Sequence, residues 1–154
     1  MPAQQPHLLT LVNDLAEISR VAASFEAWAE PLDIPMPDLM ALQLALEETI
    51  TNVIHHGYRD APSGSRRFTV EFSAPAESPP RIRLVITDDA PAYDPLARPE
   101  VDTSLPLEDR PVGGLGVHLV KKLMTRAAYA RHDDHNILTL ERELSRPGDS
   151  LPGP

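Results

Sequence analysis

The sequence predicts an α+β fold, a two-layer sandwich whose sheet is antiparallel or mixed. Its 154 residues are the length of one domain, and 42% of them are hydrophobic, which is enough to bury a core. The spacing of the apolar residues predicts the order strand, helix, helix, strand, strand, long loop, helix, strand, strand. This order fits an α+β sandwich and not a doubly wound parallel sheet, in which strands and helices alternate.

Composition and charge exclude several classes of protein. The chain has no cysteine, so it has no thiol nucleophile, no disulfide framework and no zinc ribbon. Its formal net charge of -9 disfavours binding to nucleic acid and favours a basic protein partner. The sequence contains no run of 18 apolar residues and does not begin with a signal peptide. We therefore expect a soluble cytoplasmic protein that binds neither nucleic acid nor membranes.

The amino-terminal segments predict a strand followed by a helix. Residues 7–12 form a short apolar run of strand length, and residues 13–29 carry apolar side chains every three or four positions. Asp14 and Glu17 have the spacing of an amino-terminal helix cap. The side chains expected to face the core from this helix are Leu15, Ile18, Ala22, Phe25 and Trp28 with Ala29.

A second helix is predicted from Asp38 to about His56, and Gly57 is expected to end it in a left-handed conformation. Its core stripe consists of Leu39, Leu42, Leu46, Ile50 and Val53. A second stripe, about 100° further around the helix axis, consists of Ala41, Ala45, Glu48, Asn52 and His55. Because Glu48 and Asn52 are four residues apart, they can orient a proton acceptor and a hard divalent cation in one small volume. The alternative for this stripe is a solvated helix face.

The remaining segments predict two pairs of strands separated by a loop and a helix. Residues 66–74 and 81–87 alternate apolar and polar side chains and are expected to form a hairpin. Residues 91–111 have little periodicity, and a loop of this length is usually functional, so we expect a lid. A helix up to about Met124 follows, and strand-like runs at 127–132 and 136–144 end the domain. We expect one domain over residues 1–145 and a disordered tail over residues 146–154.

Two loops carry further candidate site residues. The strand that ends at Thr87 is followed at once by Asp88, Asp89 and Ala90, where a carboxylate can accept a hydrogen bond from an exocyclic amine or hold a metal. The alternative is ordinary turn chemistry. The turn Gly113-Gly114-Leu115-Gly116 precedes a helix and offers backbone amides to a phosphate group. It lacks the pattern of a P-loop, and its alternative is a flexible hinge.

In this order, the residues from Glu48 to Asn52, from Asp88 to Ala90 and from Gly113 to Gly116 resemble the N, G1 and G2 boxes of the GHKL ATPase superfamily. Within it, the chain is similar to the single-domain anti-sigma factor serine/threonine-protein kinases of bacterial partner-switching systems. The similarity covers roughly residues 7–144. The chain departs from the pattern at Ala90, where the superfamily has glycine, and at Asn136, where it often has threonine.

The resemblance implies a Bergerat-type fold, in which helices cover one face of a mixed, mostly antiparallel sheet and ATP lies between the helices, under a lid at about residues 95–112. It implies that Glu48 is the general base and that Asn52 coordinates Mg²⁺. It further implies that Asp88 binds the adenine amino group and that Ala90 and Asn52 are nucleotide-binding residues. The remaining nucleotide-binding residues implied by the resemblance are Gly113, Gly114, Leu115 and Gly116.

The resemblance also implies that the chain phosphorylates an anti-sigma factor antagonist, sequesters a sigma factor, and is able to form a homodimer. The alternative function is a non-catalytic module that keeps the partner surface and binds nucleotide weakly. Ala90 is the reason for this alternative. Its methyl group stands where the superfamily has glycine, and it would either crowd the adenine or be absorbed if the local φ is negative.

Overall fold

A computed structural model describes residues 4–97 and 114–145. For residues 114 and 115 it describes the backbone alone. Residues 98–112 of the predicted lid, Gly113 and the predicted tail at 146–154 lie outside these residues. The strands are β1 (His7–Val12), β2 (Arg67–Ser73), β3 (Arg81–Asp88), β4 (Arg126–His132) and β5 (His135–Glu143). The helices are α1 (Glu17–Ala29), α2 (Met36–Asn52) and α3 (Gly114–Leu123). Shorter helical turns are Glu30–Leu32, Val53–Gly57 and Pro95–Ala97.

The five strands form one sheet in the order β1-β2-β3-β5-β4, and every neighbouring pair is antiparallel. The predicted α+β class is confirmed, as is the hairpin of β2 and β3. In both strands, alternate side chains are buried, so one face of the sheet is apolar. That face packs against the helices, where Phe25 and Trp28 of α1 meet Phe72 of β2 with ring centroids 5.1 and 5.7 Å apart.

The first helix begins later than the sequence predicts, at Glu17. The Asp14 carboxylate accepts a hydrogen bond from the Ala16 amide at 2.9 Å, and the Glu17 carboxylate accepts one from the Val12 amide at 3.0 Å. These two bonds shape a turn between β1 and α1. Leu15 lies in this turn and is 45% exposed, so its predicted place in the core is wrong. Ala22 is also exposed, and Val21 is buried in its place.

The central helix, α2, buries more of its surface than the predicted core stripe. Its buried residues include Ala41 and Ala45 of the second stripe together with Leu42 and Leu46 of the first. The reason is that α2 packs against α1 on one side and against α3 on the other, so most of its circumference is covered. Only the later part of the second stripe, from Glu48 onward, is left to face an open volume.

Gly57 does not end α2 in the way that the sequence predicts. Among the described glycines only Gly64 has a positive φ, so the left-handed conformation predicted for Gly57 is wrong. The helix continues instead into a wider π-type turn, Val53–Gly57. Glycine is favoured here by a close neighbour, since a Cβ on Gly57 would lie 3.1 Å from the Cβ of Ala90, which is closer than most Cβ contacts.

A buried ion pair fixes α3 and β5 relative to the start of α2. Asp38 is fully buried, and its carboxylate accepts hydrogen bonds from Arg142 Nε at 2.8 Å and from the Ser145 amide at 2.7 Å. The same guanidinium donates from Nη1 to the Leu123 carbonyl at the end of α3, at 2.5 Å. None of the described helices has the length and hydrophobicity needed to span a bilayer.

Candidate functional site

A cleft opens between α2, α3 and the inner face of the sheet. Its volume is about 620 Å³, part of which is open to solvent. The side chains and backbone that line it are those of Glu48, Thr49, Asn52, Val53, Gly57, Ile86, Asp88, Pro91, Tyr93, Pro95, Leu96, Val117, Val120, Tyr129, Asn136 and Leu138. The cleft therefore has apolar walls and a few polar groups, several of which the sequence singled out.

Asp88 lies at the sheet end of the cleft and is 8% exposed. Its Oδ1 accepts hydrogen bonds from Asn136 Nδ2 at 2.8 Å and from the Ala90 amide at 3.0 Å. Within the described residues, Oδ2 accepts no hydrogen bond, so it retains its full capacity as an acceptor. Burial raises the pKa of Asp88 above its usual range, and the hydrogen bonds from Asn136 and from the Ala90 amide oppose that rise.

Asn136 of β5 lies directly opposite Asp88 of β3 in the sheet register. Its amide nitrogen also contacts the carbonyls of Ala90 and Pro91, at 3.2 and 3.1 Å. Its amide oxygen accepts hydrogen bonds from the Tyr129 hydroxyl at 2.5 Å and from the Tyr93 amide at 3.2 Å. In the sequence, Asn136 stands out only as a departure from a family pattern, because nothing local in the sequence indicates these partners.

Glu48 and Asn52 lie on the last turns of α2, and both are partly buried residues that line the cleft. The Glu48 carboxylate faces Gly116 in the first turn of α3. A Cβ on Gly116 would collide with Glu48 Oε2, so the absence of a side chain at this position is what admits the carboxylate. The cleft thus has one carboxylate at the sheet end and a second one beside the start of a helix.

Ala90 does not line the cleft. It is 3% exposed, its φ is not positive, and its methyl group points at the backbone of Gly57. Its carbonyl accepts hydrogen bonds from Arg131 Nη1 at 2.9 Å and from Asn136. Of the two outcomes that the sequence allows for this methyl group, the second is therefore found: it packs into the core and does not line the cleft.

Asp89 does not share the position of Asp88. It is exposed, and its carboxylate accepts a hydrogen bond of 2.6 Å from the Tyr58 hydroxyl, which in turn accepts one from the Asp89 amide at 3.1 Å. Burial and the hydrogen bond to Asp89 raise the pKa of Tyr58 above its usual range. This pair anchors the loop after β3, so the two consecutive acids have different environments.

The other predicted site residues lie partly beyond what the structure describes. Gly114 is the first residue of α3 and Leu115 the second, and only their backbone is described. His55, from the same predicted stripe as Asn52, is exposed and lines a separate depression with Asn13 and Arg59. Among the described residues, no group of three histidine or acidic side chains could hold a metal ion, so Asn52 has no such cluster around it.

Comparison with known proteins identifies the family of the chain. The model of the family named histidine kinase-like ATPase domain matches residues 11–142. The chain belongs to this family. The match includes every described residue of the cleft and confirms the resemblance to GHKL ATP-binding domains of the anti-sigma factor kinase type.

Two curated proteins are similar to the chain. The serine-protein kinase RsbW of Halalkalibacterium halodurans is 26% identical over 122 residues, which are 77% of the chain and 70% of that protein. The serine/threonine-protein kinase BtrW of Bordetella bronchiseptica is 27% identical over 99 residues, which are 64% of the chain and 66% of that protein. Both relatives are named as protein kinases, and both similarities are modest.

One solved structure shows the same fold. It contains the RsbU and RsbW domains of Rv1364c from Mycobacterium tuberculosis and matches 97% of the chain with a TM-score of 0.66 and 17% sequence identity. The chain spans only 35% of that larger protein. The likeness agrees with the sandwich of one antiparallel sheet and one layer of helices seen here.

The contact between Gly57 and Ala90 leads to a first prediction. Gly57→Ala is expected to lower the free energy of unfolding by about 1–2 kcal/mol, because the two methyl groups would be overpacked. In the background of Ala90→Gly, the same change is expected to cost much less, since the opposing methyl group is gone. Urea unfolding of the two single variants and the double variant measures this coupling.

Gly64→Ala is the matched control for this cycle. Gly64 has a φ of 79° and no atom near its Cβ position, so alanine there is strained without touching Ala90. Gly64→Ala is expected to lower the free energy of unfolding by the same amount with and without Ala90→Gly. Equal costs of Gly57→Ala in the two backgrounds would contradict the proposed contact.

Proposed function

We propose that the chain is an ATP-dependent protein serine/threonine kinase of the anti-sigma factor type, which binds a sigma factor and phosphorylates an anti-sigma factor antagonist in the cytoplasm. The observation that carries this proposal is a single cleft that is lined by Asp88, Glu48 and Asn52. The family and the names of the two curated relatives support it.

The residues of the cleft fit a nucleotide. Apolar side chains such as Ile86 and Leu138 suit the faces of a flat base, and Asp88 Oδ2 is an open acceptor for an amino group. At the other end, the backbone amides at the start of α3 suit the anionic oxygens of phosphates. Bound ATP supplies the phosphoryl group to be transferred, and bound Mg²⁺ neutralises part of its negative charge.

Glu48 and Asn52 then have separate roles in the proposed reaction. The Glu48 carboxylate accepts the proton of the hydroxyl group that attacks, which is the work of a general base and typically contributes ~10²–10⁴-fold to a rate. The Asn52 amide oxygen is a hard ligand of the kind that Mg²⁺ prefers. Because both side chains project from the same face of α2, about one turn apart, the base and the metal ligand can reach the same small volume.

The position of Ala90 speaks against the alternative function. A non-catalytic module with weakened nucleotide binding was suggested by the methyl group at this position. Because that methyl group packs against Gly57 and does not line the cleft, it does not narrow the space for a base.

The proposed function is tested by phosphoryl transfer from labelled ATP. The chain is incubated with Mg²⁺, γ-labelled ATP and a soluble extract of the source organism, and labelled proteins are separated by electrophoresis. We expect a labelled acceptor whose labelling falls at least about 100-fold with Glu48→Gln. ATP affinity, measured by calorimetry, is expected to change little in this variant.

Glu47→Gln is the matched control. Glu47 is the exposed neighbour of Glu48 on α2 and does not line the cleft, so its replacement is expected to leave labelling unchanged. Absence of ATP binding by the unaltered chain would refute the nucleotide site. ATP binding without Glu48-dependent labelling would instead support the non-catalytic module.

A further inference from the structure

We propose that Asn136 is a positioning residue of the nucleotide site, which holds Asp88 for the base and also holds the chain segment at residues 90–93 beside it. This inference rests on the proposed nucleotide function and deepens it. It concerns the residue at which the chain departs from the superfamily pattern, and it derives from the hydrogen bonds of this chain alone.

The orientation of the Asn136 amide is determined by its surroundings. Three acceptors surround the amide nitrogen, namely Asp88 Oδ1 and the carbonyls of Ala90 and Pro91. Two donors, the Tyr129 hydroxyl and the Tyr93 amide, face the amide oxygen. A flipped amide would place its oxygen against three acceptors and its nitrogen against a backbone N–H. Asn136 is 6% exposed, so water cannot easily replace these partners.

This arrangement determines which oxygen of Asp88 is available. The Asn136 amide and the Ala90 amide both bind Oδ1, which restrains rotation of the carboxylate. Oδ2, which has no hydrogen bond in the described part of the chain, remains as the acceptor for a ligand amino group. Without Asn136, one of the two restraints would be lost and the carboxylate would have more freedom to turn.

The same side chain connects Asp88 to the segment that leads toward residue 97. Pro91 and Tyr93 line the cleft, and Asn136 binds the carbonyl of the first and the amide of the second. The Tyr129 hydroxyl, on the neighbouring strand β4, donates a further hydrogen bond to the amide oxygen. Asn136 thus positions both the Asp88 carboxylate, which is proposed to bind the base, and the part of the cleft lining formed by Pro91 and Tyr93.

Threonine, which the superfamily often has here, cannot make the same set of contacts. Its hydroxyl group carries one hydrogen, whereas the amide nitrogen of Asn136 carries two and serves three acceptors. We therefore expect Asn136→Thr to restrain Asp88 only in part.

The test measures ATP affinity between pH 5 and pH 8 in the full chain and in two variants. Asn136→Ala is expected to weaken ATP binding about tenfold at pH 7, since a buried hydrogen bond to a charged group is lost. It is also expected to raise the acid limit of binding, which is the pH below which ATP affinity falls. The reason is that loss of the hydrogen bond from Asn136 raises the pKa of Asp88 further. For Asn136→Thr, the ATP affinity and the acid limit are expected to lie between those of the unaltered chain and those of Asn136→Ala.

Other charges near Asp88 are the same in all three proteins. Asp89 raises the pKa of Asp88 and Arg131 lowers it, and neither is changed. Tyr58, which is hydrogen-bonded to Asp89, and Glu48, which also lines the cleft, are retained as well. A shift of the acid limit in the variants therefore reports the Asn136 hydrogen bond.

Asn13→Ala is the matched control for a merely structural effect. Asn13 is another buried asparagine, 3% exposed, and its side chain binds the Pro62 carbonyl and the Arg66 amide far from the cleft. It is expected to lower stability without moving the acid limit of ATP binding. If Asn136→Ala and Asn136→Thr leave that limit where the unaltered chain has it, the inference is wrong and the proposed function stands. If the unaltered chain does not bind ATP at all, both are wrong.

Discussion

Gly116→Ala is expected to reduce phosphoryl transfer at least about 100-fold while the protein remains folded. The added methyl group would occupy the space of the Glu48 carboxylate, which would have to turn away from the start of α3. Displacing a general base is expected to cost about as much as removing it, ~10²–10⁴-fold. The measurement is the rate of acceptor labelling with γ-labelled ATP.

The free energy of unfolding, in contrast to the activity, is not expected to fall in Gly116→Ala. The displaced atoms are at the end of a flexible side chain that is only half-buried, so moving them costs little folding energy. Alanine also favours a helix over glycine by up to ~1 kcal/mol, and Gly116 lies within α3. Urea unfolding is therefore expected to show an unchanged or slightly more stable protein.

A double variant separates displacement of Glu48 from other effects of the methyl group. In the background of Glu48→Ala, where the carboxylate is absent, Gly116→Ala is expected to alter the residual labelling by less than about twofold. An equally large loss in that background would mean that the methyl group acts on the start of α3 itself, and the steric explanation would be rejected.

Asp88→Asn is expected to weaken ATP binding about 10- to 100-fold, because a charged acceptor for the base amino group is replaced by a neutral amide. Asp89→Asn is the matched control, since Asp89 has the same side chain at the next position but binds Tyr58 and does not line the cleft. It is expected to change the affinity by less than about twofold. Calorimetric titration of the three proteins with ATP and Mg²⁺ measures both effects. Equal losses in the two variants would refute the role of Asp88.

The same substitution is expected to stabilise the protein at neutral pH. Burial raises the pKa of Asp88 in the folded chain, so between its unfolded value, about 3.9, and the raised value the folded state binds more protons than the unfolded state. The stability contributed by this group therefore falls as the pH rises through that window and stays low above it. Asparagine does not titrate. We expect the advantage of Asp88→Asn in urea unfolding to be largest near pH 7 and to shrink below about pH 4.

Some features of the site follow from local sequence. The strand that ends at Asp88 and the helix that carries Glu48 and Asn52 are visible in the periodicity of the apolar residues, since period and burial are linked within one element. Both helix residues line one cleft because four positions are about one helical turn. The order of the motifs was sufficient to identify the family, which the match over residues 11–142 confirms.

Errors occurred where a specific contact, either local or from another loop, determines the environment of a residue. The turn that places Leu15 in solvent depends on side-chain bonds from Asp14 and Glu17, which override the apolar period. Gly57 has the sequence of a helix end, but it is glycine because of Ala90, a residue on another loop. In both places a specific contact outweighs a propensity, which is a weak preference by comparison.

The sequence by itself determined the class of fold, the order of its elements, the family, and the residues that we propose to bind nucleotide and transfer phosphate. Only the tertiary structure decided that Ala90 packs into the core, that Gly116 makes room for the Glu48 carboxylate, and that Asn136 holds Asp88. The physical reason is that each of these contacts joins two elements distant in the chain, and their distance and orientation are set by the packing of the whole core.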